Sequence, residues 1–439
     1  MIPVDPAALA RRQLERDRER MSSLRRFLGR SPGGGFEHLL ARKVARMVAS
    51  PLALLRGTAP MFYRLLDRHP ALADGPGGEG WIVGDAHLEN FGAYRTGALS
   101  IGVGEPAREE RVVFDLNDFD DATLGPWRFD VLRLATSLLL AGREIGADGS
   151  RALALADALV EAYVAAVWGE DGPLPSPPVV RELVDRVRRR TRRQLLDQRT
   201  QVVDGARRFL RGERYRDVPA KLRARTERAL ARYARRLPGA ERPPDGALQV
   251  LDVAFRIAGT GSLGSLRVAV LVAGKGGEDG AWIFDLKEEG DPSSACLLRV
   301  PRLERAPPAE RVTEAIRACL AHPPRMMGTT RLRGSSMLVR RLAPQEDRLD
   351  LNKLRSADLE PLARHLGALL GAAHRRGKRR APKRPWTDGD RSRLLASAIA
   401  LAGMHEAVYL AFCDLARRSG LDRRAGVGPG PGEPGSGAA

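Results

Sequence analysis

The spacing of apolar residues along this 439-residue chain predicts helices towards both ends and strands between them. Ser50-Pro51 has the form of an N-cap followed by a first-turn proline, and the apolar positions after it share one face of a helix over 50–69. The same analysis predicts helices over 129–168, 179–236, 309–320, 359–376 and 391–418, and strands over 81–83, 111–114, 250–258, 266–273, 282–287 and 326–342. Residues 8–29 carry alternating charge with little apolar stripe, which predicts a solvated N-terminal helix.

Proline and glycine punctuation, with shifts of composition, divides this pattern into segments. We predict a charged N-terminal helix over 1–35, a helical lobe over 36–245, a β-rich lobe over 246–354, a second part of the helical lobe over 355–424, and a disordered tail over 425–439. The fold class is therefore expected to be α+β, with a small antiparallel β lobe inserted in a mainly helical lobe.

Arginine gives the chain a strong preference for anions. The formal net charge is +19 and the sequence pI is near 10.8. Because the planar guanidinium group suits carboxylates and phosphates, anionic partners are expected. The basic runs over 188–193 and 375–384 lack interleaved aromatic residues for base stacking, which favours a small anionic substrate over nucleic acid.

Cysteine usage and the absence of targeting patterns indicate the compartment. Cys296, Cys319 and Cys413 lie far apart without zinc-ligand spacing, and their odd number argues against a disulfide framework. The N-terminal residues form no signal peptide, and the apolar stretches around 138–141 and 153–167 are too short or too interrupted to span a bilayer. We expect a cytoplasmic protein with no membrane partner, and the sequence does not indicate its oligomeric state.

Two short segments carry the residue types that a phosphotransferase requires. Residues 84–90 are GDAHLEN and residues 117–121 are NDFDD. They supply a carboxylate at Asp85 to orient a hydroxyl, an amide at Asn90, and carboxylate oxygens around Asp118 to hold Mg²⁺ on a nucleotide. Taken alone, such a loop more often reflects turn chemistry, in which Asp and Asn cap backbone amides.

A glycine-rich stretch in the β-rich segment adds a nucleotide-binding pattern. Gly259, Gly261 and Gly264 form G-x-G-x-x-G between two predicted strands. A dinucleotide-binding fold would place a helix after these glycines. A strand, a glycine turn and a second strand form the arrangement that covers ATP phosphates in kinases.

The next strand and helix supply charged residues that complete this pattern. Lys287 ends the strand that follows the glycine turn, where a kinase places its phosphate-binding lysine. Glu314, central on the following helix, is preferred as the acid that orients Lys287, and Glu310, one helical turn earlier, is the alternative.

In conjunction, these motifs resemble the protein-kinase-like fold in its aminoglycoside and choline kinase branch, whose motif H-G-D-x-H-x-x-N precedes an I-D-F-D-D…G-P…D segment. Residues 36–420 further resemble a bacterial family known as domain of unknown function 2252, including its S-P-x-x-x-x-R-G segment, here from Ser50 to Gly57. The order is unusual, because the catalytic loop precedes the glycine turn and the lysine. Joining the chain ends would restore kinase order, so the resemblance implies a circularly permuted two-lobe fold.

The resemblance implies a role for each matching residue. The matches are Asp85 to the catalytic base, Asn90 and Asp118 to metal ligands, and Asp130 to a buried aspartate that braces the catalytic loop. Val83 stands where this branch has its first histidine, which leaves the bracing geometry open. Asp115 and Asp120 are rival metal ligands, and strand alternation places Asp120, but not Asp115, on the face of Asp118.

Three further residues have two interpretations each. His87 is more often a backbone hydrogen-bonding residue in such a loop than a catalyst. His374 lies on an apolar helix face, which is typical of a core histidine with satisfied hydrogen bonds. Arg56 either clamps an anionic substrate or forms an ion pair with a nearby carboxylate, and the sequence favours neither.

Together these features predict an ATP- and Mg²⁺-dependent phosphotransferase that acts on an unidentified hydroxyl acceptor. The nucleotide is expected between the lobes, held by the glycine turn and Lys287. Whether a phosphoryl or a nucleotidyl group is transferred stays open. The alternatives are a catalytically silent kinase-like module that binds nucleotide, and an arginine-rich nucleic-acid-binding protein.

Overall fold

Helices and antiparallel strands alternate along the chain in the computed structural model, which describes residues 5–29, 36–96, 111–142, 144–169, 175–277 and 279–422. The described helices are α1 (Pro6–Ser23), α2 (Arg25–Leu28), α3 (Glu37–Met47), α4 (Pro51–Gly57), α5 (Ala59–Arg68), α6 (Pro70–Ala73), α7 (Arg128–Ala141), α8 (Gly149–Trp168), α9 (Pro178–Arg188), α10 (Arg192–Asp197), α11 (Ala220–Arg236), α12 (Pro301–Glu304), α13 (Pro308–Cys319), α14 (Leu359–Arg376) and α15 (Asp388–Arg418). The predicted tail over 425–439 lies outside the described residues.

The strands of the described residues form four antiparallel sheets. The strands are β1 (Glu79–Ile82), β2 (Phe91–Arg95), β3 (Val112–Leu116), β4 (Thr123–Pro126), β5 (Thr200–Val203), β6 (Ala206–Phe209), β7 (Tyr215–Arg216), β8 (Val250–Arg256), β9 (Arg267–Val272), β10 (Trp282–Glu288), β11 (Gly328–Leu332), β12 (Ser335–Leu342), β13 (Glu346–Arg348) and β14 (Lys378–Arg380). Their orders are β11-β12-β10-β9-β8-β7, β14-β1-β4, β13-β2-β3 and β5-β6. The predicted α+β class with small antiparallel sheets is confirmed.

The six-stranded sheet contains the strands predicted between 250 and 342. Every residue of β9 is buried, which explains its nearly continuous apolar sequence, since both faces of the sheet are covered. The loop over 257–266 joins β8 to β9, so the predicted strand, glycine turn and strand are confirmed. Lys287 of β10 pairs with Arg267, the first residue after that loop. The lysine therefore lies at the same end of the sheet as the glycine turn.

Helix α1 is packed into the protein, which corrects the prediction of a solvated helix. Leu9, Leu14 and Met21 are buried in the main core. Asp17 and Lys43 of α3 form a buried ion pair with an Nζ to Oδ1 distance of 2.6 Å. The dense charge of this segment masked its narrow apolar face, because few but regularly spaced apolar residues suffice to dock a helix.

The predicted helix over 50–69 begins as expected but is interrupted in the structure. The Ser50 hydroxyl accepts a hydrogen bond from the Ala53 amide at 3.1 Å, which caps α4. Helix α4 ends at Gly57, and α5 starts two residues later. Because Pro60 has no N–H to donate to the Arg56 carbonyl, the helical hydrogen-bond ladder stops at this point.

The region predicted as helical over 179–236 contains a β-hairpin. Strands β5 and β6 pair across a turn at Asp204 and Gly205, whose φ angles of 50° and 71° are both positive. Positive φ at both central residues is the geometry for which Asp-Gly is preferred in two-residue hairpins. The Asp-Gly pair between short β-prone runs was therefore a sequence signal for this hairpin.

Helices α8 and α14 pack so closely that glycine is required at their contact. A Cβ at Gly367 would lie 2.1 Å from the Leu159 carbonyl oxygen, and a Cβ at Gly371 would lie 2.6 Å from the Tyr163 carbonyl oxygen. This contact fixes the C-terminal part of α14, including His374, next to the helical core.

Helix α15 is the one helix in the described ranges that is long and apolar enough to cross a membrane by length and composition. Core helices of water-soluble proteins meet the same criterion, and α15 packs along α1 and α7. The absence of a membrane partner therefore stays a prediction.

Candidate active site

The loop that follows β1 is held in place by one buried carboxylate. Asp130, fully buried at the start of α7, accepts hydrogen bonds from the Val83 amide at 2.5 Å and the Gly84 amide at 2.9 Å. The His374 Nε2 donates to Asp130 at 3.0 Å, and the Tyr163 hydroxyl bonds Nδ1 at 2.9 Å. Val83 thus contributes its backbone amide to the brace, and a histidine from α14 completes it. As predicted, His374 is a core histidine with both ring nitrogens bonded.

Gly84 lets the loop pass directly beneath the acidic segment. Its φ is +80°, and a Cβ there would lie 2.1 Å from the Asp121 carbonyl oxygen. A side chain is excluded by both the backbone conformation and this contact. The residue that follows, Asp85, is therefore presented next to the segment over 117–121.

Asp85 is oriented by an arginine that sequence reasoning missed. Arg133 of α7 is fully buried and donates from Nε to Asp85 Oδ1 at 2.9 Å and from Nη2 to the Leu55 carbonyl at 2.9 Å. Burial raises the pKa of Asp85 to about 7 against the opposing effect of Arg133. The side chain of Asp85 remains 24% exposed, so a ligand can reach it. Arg133 lies one helical turn after Asp130, on the same side of α7. This spacing could have indicated from the sequence that Arg133 lies near the loop that Asp130 was expected to brace.

Asn90 links the loop of Asp85 to the acidic segment. Its Nδ2 donates to the Asp85 carbonyl at 3.2 Å and to the Asp118 carbonyl at 3.1 Å. Its Oδ1 is buried and accepts no hydrogen bond within the part of the chain that the structure describes. A buried amide oxygen without a donor is an uncommon and costly arrangement, which marks it as a potential ligand atom.

Lys287 reaches the acidic segment from the six-stranded sheet. Its Nζ contacts the Asp120 carboxylate and lies 4.0 Å from Asp118 Oδ1. Against the opposing effect of burial, Lys287, followed by Arg348 and Arg340, lowers the pKa of Asp118. The six-stranded sheet and the acidic segment therefore meet at one charged site.

Glu289 adds a buried carboxylate that sequence reasoning missed. It lies two residues after Lys287 and is 6% exposed, and its Oε1 accepts no hydrogen bond from the described residues. Burial raises the pKa of Glu289 to about 7, although Lys287 opposes the shift. Strand alternation from Lys287 would have indicated this residue, since positions i and i+2 share a face.

The glycine turn offers unpaired backbone amides near this site. The Gly259 carbonyl accepts from Arg46 Nη1 at 2.7 Å, and the Gly261 carbonyl accepts from Arg20 Nη1 at 3.1 Å. The amides of Thr260, Gly261 and Ser262 donate no hydrogen bond to any described residue. Successive free amides of this kind form a cradle for an anion. Arg20 belongs to α1, so the N-terminal helix helps to hold the turn.

The turn after α4 lies between the glycine turn and the loop of Asp85. A Cβ at Gly57 would lie 2.5 Å from Met47 Sδ, and a Cβ at Gly261 would lie 3.4 Å from the Arg56 carbonyl oxygen. Arg56 Nη1 donates to Glu89 Oε1 at 2.7 Å. Of the two interpretations of Arg56, the structure therefore contains the ion pair.

Comparison with known proteins identifies the family. The family model described as an uncharacterized protein conserved in bacteria (DUF2252) matches residues 36–172 and 174–415. The chain belongs to the DUF2252 family. No curated protein and no solved structure matches it significantly. Helix α1 precedes the part of the DUF2252 chain that the family model matches.

Not every predicted residue reaches the site of this DUF2252 protein. Glu314 Oε1 accepts from Arg302 Nη2 at 2.5 Å and lies 3.7 Å from Arg379, so the structure does not bring it to Lys287. Its alternative, Glu310, is exposed. Helix α13 instead contributes Arg311.

Arg311 joins α13 to the acidic segment through hydrogen bonds. It is 2% exposed and donates to the Asp120 and Gly290 carbonyls, each at 2.9 Å. The face of α13 that meets the acidic segment therefore carries a buried cation and not the carboxylate that the sequence predicted.

The structure also shows the surroundings of two further candidates in the DUF2252 protein, Asp115 and His87. Asp115 lies 4.0 Å from Arg376 Nη2, away from Lys287, and burial raises its pKa to about 6. His87 Nδ1 accepts from the Glu89 amide at 3.2 Å, the backbone bond expected of a loop histidine. Burial, followed by the charge of Arg56, lowers the pKa of His87 well below its usual value, so the ring is neutral.

Proposed function

We propose that this DUF2252 protein is an ATP- and Mg²⁺-dependent phosphotransferase of the protein-kinase-like fold, acting on a hydroxyl acceptor. The observation that carries the proposal is the convergence of Lys287 with Asp118 beside the loop of Asp85 and Asn90. A cation for phosphates, oxygen ligands for a metal and a carboxylate for a hydroxyl proton are the parts that phosphoryl transfer requires.

Each part has a specific task in this proposal. The amides of the glycine turn and Lys287 hold the phosphates. Arg133 occupies only Oδ1 of Asp85, which leaves Oδ2 to accept the proton of the acceptor hydroxyl. Arg133 therefore acts as a positioning residue that fixes the rotamer of the base.

Asn90 Oδ1 and the Asp118 carboxylate are the protein atoms that would hold Mg²⁺. The described residues contain no group of three or more His, Cys, Asp or Glu side chains arranged for a metal. Two oxygen ligands suit Mg²⁺, which keeps several waters and takes other ligands from substrate phosphates. When bound, the ion would offset the charge of the phosphates.

The contact between α14 and the catalytic loop supports the proposed circular permutation. His374, near the C-terminal end of α14, donates to Asp130, which braces Val83 and Gly84. In cyclic order, α15 and the helices α1 to α6 come between α14 and the loop of Asp85. The contact therefore supports the proposed order only in that it places α14 in the same helical lobe as this loop.

The ion pair of Asp85 with Arg133 also favours a second candidate function, a silent nucleotide-binding module. A base held by a fully buried guanidinium is a poorer proton acceptor than an unpaired one. Such a module would keep Lys287, Asp118 and the glycine turn and would bind nucleotide without transfer.

Nucleotide binding is expected to depend on Lys287 and Asp118. Lys287→Ala should weaken ATP binding at least about tenfold, because charge-assisted hydrogen bonds to phosphate are lost. Asp118→Ala should remove the enhancement of ATP binding by Mg²⁺. Calorimetric titration with ATP, with and without Mg²⁺, measures both effects. Lys353→Ala is the control, since Lys353 is 82% exposed; equal affinity in the Lys287 and Lys353 variants would refute the site.

Activity is expected to rise with pH through about 7. A general base must be ionised, and the raised pKa of Asp85 places its ionisation near that value. Glu289 titrates in the same range, so the pH profile of kcat should be recorded for wild type and Glu289→Gln. A rising limb retained in Glu289→Gln assigns it to Asp85, and its loss assigns it to Glu289.

The same two groups link stability to pH. Their folded-state pKa values lie above the ordinary values of 3.8 and 4.5. The folded state therefore binds more protons than the unfolded state, and the stability contributed by these carboxyls is lost as pH rises through about 7. Glu289→Gln should flatten this loss in urea unfolding at pH 6 and pH 8.

A further inference from the structure

A cavity of about 500 Å³ lies between β3, α9 and α14. Strand β3 is at the edge of the sheet β13-β2-β3, and both helices pack on it. The volume falls within the range of about 300–1,000 Å³ that is usual for small-molecule sites. The described residues that line the cavity do not include Asp85, Asn90, Asp118 or Lys287, so it is separate from the candidate active site.

The walls of this cavity are largely apolar. Phe114 of β3, Val180 and Val184 of α9, and Leu369 of α14 line it. The Phe114 ring stacks on the imidazole of His365, with centroids 6.0 Å apart and an angle of 27° between the planes. Flat rings beside aliphatic side chains favour a planar apolar ligand, because its burial removes apolar surface from water.

His365 of α14 also lines the cavity, and its ring is held by a backbone group. The ring hydrogen-bonds the backbone of Pro175. Because proline has no N–H, the imidazole must be the donor in this bond. Nε2 has no hydrogen-bond partner among the described residues, so the donor is Nδ1.

The second ring nitrogen of His365 is therefore a buried acceptor. Burial lowers the pKa of His365 to about 4, so the ring is neutral near neutral pH. With its one proton on Nδ1, the ring presents a lone pair at Nε2. The residue is only 5% exposed, and a buried acceptor without a donor is costly. This atom calls for a ligand that brings a hydroxyl or N–H group.

Carboxylates and arginines that line the cavity pair with one another. Arg376 Nη2 lies 4.0 Å from Asp115 Oδ2, and Arg188 Nη1 lies 3.1 Å from Asp185 Oδ1. These pairs offset each other's charge, so neither carboxylate is a free counter-ion for a cationic ligand.

Two further arginines of the cavity bond backbone carbonyls. Arg181 donates to the Ser176 carbonyl, and Arg375 Nη1 donates to the Ala166 carbonyl at 2.7 Å. Their charge disfavours a cationic ligand. A deprotonated anion carries no donor for His365 Nε2, so the group that lacks a partner selects a neutral ligand.

We propose that this cavity binds a small neutral molecule that has a planar apolar body and a hydroxyl group, and that the hydroxyl donates to His365 Nε2. The hydroxyl would satisfy the buried acceptor, and the apolar body would fill the space beside Phe114 and Leu369. The inference does not depend on the proposed phosphotransferase activity, since it uses none of the groups assigned to ATP or Mg²⁺.

2-Naphthol is the probe, titrated by calorimetry into the full chain. It should bind at least about fivefold more tightly than 2-methoxynaphthalene, which has the same rings but no proton to donate. 2-Naphthoate, which has the same rings and a negative charge, should bind more weakly than 2-naphthol. ATP should not compete with 2-naphthol, because the cavity is separate from the candidate active site.

His365→Leu tests the assigned acceptor. It removes Nε2 and should abolish the preference for 2-naphthol over 2-methoxynaphthalene, whereas a purely structural histidine would leave that preference unchanged. Thermal unfolding with and without 2-naphthol shows whether the variant is folded and whether the ligand stabilises it.

A matched pair of tryptophan variants tests the location. Val184→Trp fills the cavity from a partly buried position and should weaken 2-naphthol binding at least about tenfold. Ile399→Trp adds the same ring to a separate surface groove, where Ile399 is 48% exposed, and should change affinity less than about twofold.

Four results would overturn the proposal. They are no binding of 2-naphthol up to its solubility limit, tighter binding of 2-naphthoate than of 2-naphthol, a preference for 2-naphthol that persists in His365→Leu, and equal effects of the two tryptophan variants. Tighter binding of 2-naphthoate would instead indicate a site in which arginines bind an anion.

Discussion

Asp85→Asn is expected to lower the turnover of ATP at least about a hundredfold, because it removes the proposed general base and leaves the proposed phosphate-binding groups in place. Arg133 loses its carboxylate partner in this variant, so the free energy of unfolding should fall as well. Turnover must therefore be measured at a temperature where unfolding shows that the variant is folded. ATP affinity, measured by calorimetry on the same sample, should change less than about threefold.

The matched control for this prediction is Asp115→Asn. Asp115 is also a carboxylate with a raised pKa, but it lies near Arg376 and away from Lys287. Its variant should retain turnover. An Asp85→Asn protein as active as wild type would exclude the assigned base. Wild type that binds ATP but shows no hydrolysis or transfer with any hydroxyl acceptor tested would favour the silent module.

Asp130→Ala is expected to reduce the free energy of unfolding by about 3–5 kcal/mol, because several buried donors lose their acceptor at once. Those donors are the Val83 and Gly84 amides and His374 Nε2. Urea unfolding followed by circular dichroism measures the change. This prediction tests the brace of the loop of Asp85 without requiring any activity.

Two variants calibrate the effect of removing Asp130. Asp130→Asn keeps one acceptor oxygen and should be destabilised by less than Asp130→Ala. Asp388→Ala removes a carboxylate that is 96% exposed, and surface changes of this kind are usually worth within about 0.5 kcal/mol. If Asp130→Ala costs no more than Asp388→Ala, the carboxylate does not brace the loop.

Local patterns predicted the elements that depend on local physics. The run of β-branched and apolar residues in β9 identified a buried strand, and the Ser50-Pro51 pair identified the start of α4. The positive φ values at Gly259 and Gly264 explain why glycines were conspicuous in that turn. Helix α1 was misjudged because its dense charge hid a narrow apolar face. The β5–β6 hairpin was missed because its Asp204-Gly205 turn signal lies within a strongly basic region that was predicted to be helical.

The candidate site likewise contains residues that the sequence indicated and one position that it assigned wrongly. Asp85, Asn90, Asp118 and Lys287 were indicated by the conjunction of short motifs and by their resemblance to kinase-like proteins, and the structure brings them together. Glu314 was chosen for its central position on α13, but the face that a helix turns towards a sheet is set by packing. The apolar stripe of α13 directs Arg311, not Glu314, to the acidic segment.

The sequence by itself determined the α+β class, the family and the residue types available for phosphate chemistry, because composition, periodicity and motif spacing are local properties of the chain. Tertiary structure decided which charges meet: Arg133 with Asp85, His374 with Asp130, and Lys287 with Asp120. These partners are separated by tens to hundreds of positions. Their pairing depends on how helices and sheets pack, which no short window of sequence specifies.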